Sequence, residues 1–223
     1  MQTSDSQFIL NIQNLSCGYG GKPIVEDFNL KVARGESIAI TGPNGCGKST
    51  LLKAIYQLCV INSGDIVYKG VLLNGKTPEQ VKRLGIAYFM QKNTVFSKLS
   101  VKENIILSLN GTNKTDKKMK TEEMIALFPE IGKWLNKTAG LLSGGQRQQM
   151  AMAMLLAQDA DLWLLDEPTA GLDSDKSKYF LELILQHFGK TSDNLKTIIF
   201  VEHKTNIINQ LANNIINLKS QSI

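Results

Sequence analysis

The chain has 223 residues, is 43% hydrophobic and 20% charged, and carries a formal net charge of +5. That composition suits a globular protein with one sizeable core, and so modest a charge requires neither nucleic acid nor an anionic surface as partner. Three cysteines, Cys17, Cys46 and Cys59, without CxxC spacing, argue against a zinc site or a disulfide framework. The start, "MQTSDSQFIL", lacks a basic segment followed by a long apolar one. No apolar run reaches the ~20 residues that span a bilayer. A cytosolic protein is expected, with any membrane role supplied by a partner.

In chain order, Phe8 to Ile12 reads as a short strand and Ser37 to Thr41 as another, ended by glycines. Ser49 to Leu58 has helical spacing, with Leu51, Leu52, Ile55 and Leu58 on one side. "DIVYKGVLLNG" reads as two short strands about a turn at Gly70, and "GIAYFMQ" as a strand ending at Gln91. Helices are expected at Val101 to Leu109 and at Thr121 to Leu127, the latter stopped by Pro129. The basic run Lys114 to Lys120 follows the turn-like "NGTN" and is expected as a solvated loop. Ser143 to Ala157 reads as a helix that begins at a glycine pair, and a further helix is expected around Ser177 to His187. "DLWLLDE" and "TIIFVEH" are apolar on consecutive positions, as in parallel strands covered on both faces. Alternating strands and helices indicate an α/β fold with a largely parallel central sheet, into which residues from about Asn93 to Gln158 insert a helical region.

"GPNGCGKS", Gly42 to Ser49, matches G-x-x-x-x-G-K-[ST] between a strand and a helix. Gly42, Pro43, Asn44, Gly45, Cys46 and Gly47 would curl the backbone so that its amides face phosphate oxygens, and the helix N-terminus at Lys48, Ser49 and Thr50 adds its positive dipole end. Lys48 would neutralise the β- and γ-phosphates, and the Ser49 hydroxyl would ligate Mg²⁺. Asp166, at the end of "LWLLD", would orient the same ion. Glu167 points elsewhere because strand side chains alternate, which suits a general base. Cys46 lies near Lys48 and a helix N-terminus, so alkylating it is expected to block nucleotide binding. A second glycine turn, Ser143, Gly144 and Gly145, opens another helix and forms another anion site. The two turns either close on one nucleotide or serve nucleotides held by different copies.

"LSGGQ", Leu142 to Gln146, resembles the signature of ATP-binding-cassette (ABC) ATPases. Other elements of that family follow in order, and the resemblance covers nearly the whole chain. It implies a P-loop NTPase core, an N-terminal antiparallel β portion and a helical signature subdomain. It also implies that Tyr19 stacks on adenine and that Gln91 touches Mg²⁺ or the attacking water. "LWLLDE" is similar to the Walker B strand, "AGLD" (Ala170 to Asp173) to the D-loop, and His203 to the switch histidine that contacts the γ-phosphate. In such proteins two cassettes meet head to tail, so Ser143, Gly144, Gly145 and Gln146 would close on ATP bound to a second cassette, in a homodimer or a heterodimer.

The implied function is the ATPase subunit of a transporter, lying on the inner face of the membrane against separate permease subunits. "FSKLSVKENI", "AGLLSGGQ" and "FVEH" are similar to cassettes of branched-chain amino-acid and urea importers. A soluble iron–sulfur assembly ATPase is the alternative. A regulator without turnover is disfavoured by the presence of Glu167, Gln91 and His203. His187, Trp134, Trp163 and the run Met150, Met152, Met154, Leu155 and Leu156 read as packing residues.

Overall fold

The computed structural model describes residues 7–91, 95–109, 114–187 and 195–219, with the side chains of 114 and 187 excepted. The chain divides into two compact units. The first comprises Met1–Tyr88, Ala160–Glu167 and Leu181–Ile223, and the second Phe89–Asp159 and Pro168–Phe180.

The first unit runs through β1 (Phe8–Gly18), β2 (Val25–Ala33), β3 (Ser37–Thr41), α1 (Lys48–Ile55), β4 (Val60–Tyr68), β5 (Val71–Leu72), α2 (Pro78–Arg83) and β6 (Ile86–Phe89, its last residue in the second unit). After a long excursion it resumes with β7 (Leu162–Asp166), the end of α7 (Ser174–His187), β8 (Thr197–Val201), α8 (Thr205–Leu211) and β9 (Asn214–Asn217). These strands make two sheets. One is antiparallel, in the order β2-β1-β4-β5. The other has the order β6-β7-β8-β3-β9, with β7, β8, β3 and β9 parallel.

Chemistry explains most of these elements. Every residue of β7 and β8 is buried, which is why both read as unbroken apolar runs rather than alternations. The β4–β5 hairpin turns on Lys69 and Gly70, both left-handed at φ 48 and 75, as a two-residue turn matched to strand twist requires. β1 outruns its expected end at Ile12 because bulges interrupt its alternation. Asn14 takes φ 48 and its N–H donates to Asn29 Oδ1 at 2.9 Å. β2, β9, α2 and α8 were not expected. β2 alternates poorly, with Glu26 and Asp27 exposed near its start, and β9 is an edge strand that begins and ends on asparagine.

In the second unit, α3 (Val101–Ser108), α4 (Lys114–Leu127), α5 (Pro129–Trp134), α6 (Gly144–Leu156) and the start of α7 follow one another. Ser100 and Ser143 cap α3 and α6 with reciprocal capping boxes through Glu103 and Gln146, each cap worth about 1 kcal/mol. The basic run expected as a loop is instead the first half of α4. Lysine and glutamate are good helix formers, Lys118 and Lys120 pair with Glu122 and Glu123 one turn on, and Thr121 and Met124 bury one side. α7 starts at Ser174 rather than Ser177, capped by Asp173, whose Oδ1 accepts from the Lys176 N–H at 2.9 Å. Met150, Met152, Leu155, Leu156, Trp134 and Trp163 are buried, as packing residues should be, while Met154 is half-buried. The turn expected at "NGTN", the start of the helical region at Asn93 and the side chain of His187 lie outside the described residues.

Candidate nucleotide site

β3 delivers the chain to Gly42, and two glycines fix the loop that follows. Gly42 has φ 143, and a Cβ there would lie 2.2 Å from the Leu218 carbonyl oxygen. Gly47 has φ 102, and a Cβ would meet Val25 Cγ2 at 2.7 Å. No other residue fits either place. Gly47 caps α1 with no side-chain hydrogen bond, so the first amides of α1 are left for an anion. Pro43, Asn44 and Gly45 are exposed on the outer curve, while Cys46, Lys48 and Thr50 are buried. The burial of Cys46 means that alkylating its thiol requires the loop to open. The Lys48 ammonium donates to the Gly42 and Pro43 carbonyls at 2.9 and 2.8 Å. An ammonium has three donors, and these bonds employ two of them.

The far end of β7 meets this loop. Ser49 Oγ donates to Asp166 Oδ1 at 2.8 Å, and the Tyr88 hydroxyl donates to Asp166 Oδ2 at 3.3 Å. Burial raises the Asp166 pKa above the ordinary carboxylate range, and the bonds from Ser49 and Tyr88 oppose that rise without cancelling it. Glu167 follows with a left-handed φ of 50 and donates its N–H to the Val201 carbonyl at 3.0 Å. A non-glycine residue in that conformation costs ~1–2 kcal/mol. It turns the carboxylate toward His203, whose Nε2 lies 3.2 Å from Glu167 Oε1. The turn beyond β8 that carries His203 is held by Glu202, buried, whose Oε1 accepts from the His203 and Lys204 N–H groups.

Tyr19 is 55% exposed between Gly18 and Gly20, so its ring is presented to solvent. Lys53, from α1, donates to its hydroxyl at 3.0 Å and lies 5.4 Å from the ring centroid. The first unit therefore brings together Tyr19, Gly42–Thr50, Asp166, Glu167 and His203. Gln91 and the signature residues belong to the second unit, where Gln91 is exposed just past β6. There Ser143 Oγ accepts from the Gln146 N–H at 3.3 Å, and Gln146 Oε1 accepts from the Ser143 N–H at 2.9 Å. The serine lends a lone pair to its own helix and keeps its O–H proton to donate. A Cβ on Gly144 or Gly145 would meet nothing within 4 Å, so the turn is open to an incoming group.

The family model "ABC transporter" matches residues 25–170. The chain belongs to the ABC transporter family. It is similar to the probable branched-chain amino acid transport ATP-binding protein LivF of Archaeoglobus fulgidus, at 36% identity over 92% of this chain and 86% of the relative. It is also similar to the glutamate/aspartate import ATP-binding protein GltL of Escherichia coli K12, at 30% identity over 93% of this chain and 86% of the relative. Among solved structures, the dimeric bacterial ABC transporter cassette MJ0796 matches with a TM-score of 0.82 and 25% identity over 94% of each chain. The fold is thus that of an ABC cassette, and the protein is an ATP-binding, ATP-hydrolysing subunit that powers transport. The relatives are transport subunits, which favours this reading over the iron–sulfur alternative.

Two residues of this cassette escaped the sequence reading. Tyr88 reaches Asp166 because β6 lies beside β7, a pairing that sequence order does not reveal. Lys53 falls beside Tyr19 one turn past the P-loop, where only its position on α1 hints at it. The residues present fit Mg²⁺: a buried carboxylate and a hydroxyl, hard oxygen donors beside a phosphate cradle, are what that ion takes. Among the described residues no cluster of three or more His, Cys, Asp or Glu side chains offers a competing cage.

The raised pKa of Asp166 has a thermodynamic consequence. A carboxyl with a higher pKa folded than unfolded binds its proton more tightly when folded. That contribution to stability is present at low pH and is lost as pH rises through the folded-state pKa. At neutral pH the bare charge is a net cost. Asp166→Asn keeps an acceptor for Ser49 and removes the charge, so the nucleotide-free variant should melt higher than wild type at pH 7, by roughly 1 kcal/mol. Melting curves taken across acid to neutral pH should show the gap opening as pH rises, while Mg²⁺-dependent nucleotide binding is lost.

Proposed function

We propose that this subunit binds ATP with Mg²⁺ and splits it between two cassettes that close head to tail. The contact between Ser49 Oγ and Asp166 Oδ1 carries the reading, because it joins the phosphate loop to the carboxylate strand at one point. Tyr19, steadied by Lys53, stacks on adenine. The amides from Gly42 to Thr50 and the Lys48 ammonium hold the phosphates. Ser49 and Asp166 would hold Mg²⁺, which when bound neutralises charge on the phosphates. Glu167 takes the proton from the attacking water, and His203 holds the Glu167 carboxylate and contacts the γ-phosphate.

Ser143 and Gly145 of a second cassette complete the site by donating to the γ-phosphate, in the turn they form with Gly144 and Gln146. That second cassette is another copy of this chain in the simplest assembly, as in the dimeric cassette MJ0796. The subunit is held at the inner face of the membrane by permease subunits. Among the described residues no helix is long and apolar enough to cross a membrane, and in this reading separate permease subunits form the pathway. Relatives named for branched-chain amino acid, glutamate and aspartate transport point to amino acids as the cargo class.

Co-expression with the neighbouring reading frames tests this. Hydrophobic membrane subunits should co-purify, and ATP-dependent uptake of an amino acid into vesicles should follow. Co-purification with a soluble scaffold alone would overturn the transporter assignment of its partners.

A further inference from the structure

A cavity of about 530 Å³ opens between α3 and α4, lined by residues of the second unit that the reading above leaves unused. Its size falls in the range of small-molecule sites, roughly 300–1,000 Å³. Half-buried Ile106 from α3, Ile125 from α4 and Leu135 just past α5 give it apolar walls. Thr121, buried on α4, adds no donor to that lining, because its hydroxyl donates to the Lys117 carbonyl at 2.7 Å.

Charge gathers at the mouth. Lys102 on α3 is exposed there, as are Lys118 and Glu122 on α4, and Lys117 is half-buried beside them. Lys118 Nζ lies 3.9 Å from Glu122 Oε1, so the one acid is matched to one lysine at the edge of ion-pair range. Among the described residues Lys102 and Lys117 make no ion pair. Two ammonium groups without a carboxylate thus flank an apolar hollow. The order of charges along α4 adds to this. Glutamate ahead of lysine suits the helix dipole, and lysine ahead of glutamate opposes it. α4 has the opposing order, with Lys117, Lys118 and Lys120 ahead of Glu122 and Glu123. That order costs the helix a little stability and puts positive charge where α4 borders the mouth.

We infer that this cavity binds a free fatty carboxylate of medium chain length, its tail against Ile106, Ile125 and Leu135 and its head between Lys102 and Lys117. Removing the tail from water drives entry. The head has only acceptors to offer, and the two ammonium groups have only donors. A cationic head of the same size would be repelled. Glu122 at the rim disfavours an extended anionic surface such as a lipid bilayer, whereas one carboxylate can sit on the side of Lys102 and Lys117. Nothing in this site depends on the nucleotide site.

Isothermal titration calorimetry of the whole chain with sodium dodecanoate, kept below its micelle concentration, tests this. One molecule should bind per chain. Dodecyltrimethylammonium, the same tail under a cationic head, should bind at least about tenfold more weakly, since it forgoes the charge-assisted hydrogen bonds. Lys102→Gln combined with Lys117→Gln should weaken dodecanoate by roughly tenfold or more for the same reason, and should leave nucleotide affinity and melting temperature unchanged. Absence of dodecanoate binding, equal binding of the two amphiphiles, or equal binding of dodecanoate by wild type and the double variant overturns the inference. Capture by phosphatidylglycerol vesicles without binding of free dodecanoate also overturns it, and would give the lysines to a lipid surface. Should the double variant fail to fold, the comparison of the two amphiphiles on wild type still decides.

Discussion

Glu167→Gln is expected to hold ATP with undiminished affinity and to release phosphate ~10²- to 10⁴-fold more slowly, the usual loss when a general base is removed. The amide cannot take a proton from water, but it keeps an oxygen where Glu167 Oε1 meets His203 Nε2 at 3.2 Å. The left-handed backbone at this position asks nothing of the carboxylate charge, so the substitution should leave the turn as it stands. With hydrolysis blocked and binding intact, the closed pair of cassettes should accumulate in ATP and be seen as a dimer by light scattering. Phosphate release at saturating ATP checks the rate, and a variant that turns over at the wild-type rate would remove Glu167 from its role.

Lys48→Ala should fail earlier, at binding. Lys48 is 7% exposed and its ammonium is already braced by the Gly42 and Pro43 carbonyls, so it is held in place before a phosphate arrives. Removing one charge-assisted hydrogen bond to a phosphate costs ~1.5–3 kcal/mol, which is a loss of affinity of roughly ten- to a hundredfold. Titration with a fluorescent nucleotide should show that loss while the melting temperature changes little. The contrast with Glu167→Gln is the informative part: one variant loses the grip and the other loses the cut.

Legibility in the sequence followed how local the determining physics was. The P-loop was legible because its spacing answers to one turn, and Gly42 and Gly47 sit where any side chain would collide. β7 and β8 were legible because full burial leaves an uninterrupted apolar string. The Ser143 cap and α6 were legible because a helix start carries its own chemistry. By contrast β2 and the long half of β1 were missed, since bulges near Asn14 break the alternation that marks a strand. The first half of α4 was misread because the loop signal of a lysine run outweighed the one-turn spacing to Glu122 and Glu123. Tyr88 and Lys53 could not be found at all without knowing that β6 lies beside β7 and that α1 passes Tyr19. What sequence order conceals is which strands are neighbours, and the site is assembled across such neighbours.

The claim beneath the rest is that one ATP is held by the P-loop of one chain and the signature turn of another. Mixing tests it most directly. In a Glu167→Gln background, chains carrying Lys48→Ala are mixed with chains carrying Ser143→Arg, and the ATP retained after rapid gel filtration is measured. Neither variant alone should retain nucleotide, because every site it forms has one broken half. Each mixed dimer in the mixture should retain about one ATP, since one of its two sites then joins an intact P-loop to an intact signature. Retention no greater than that of the separate variants, or retention by a single Glu167→Gln chain that stays monomeric, would contradict a site shared between two chains.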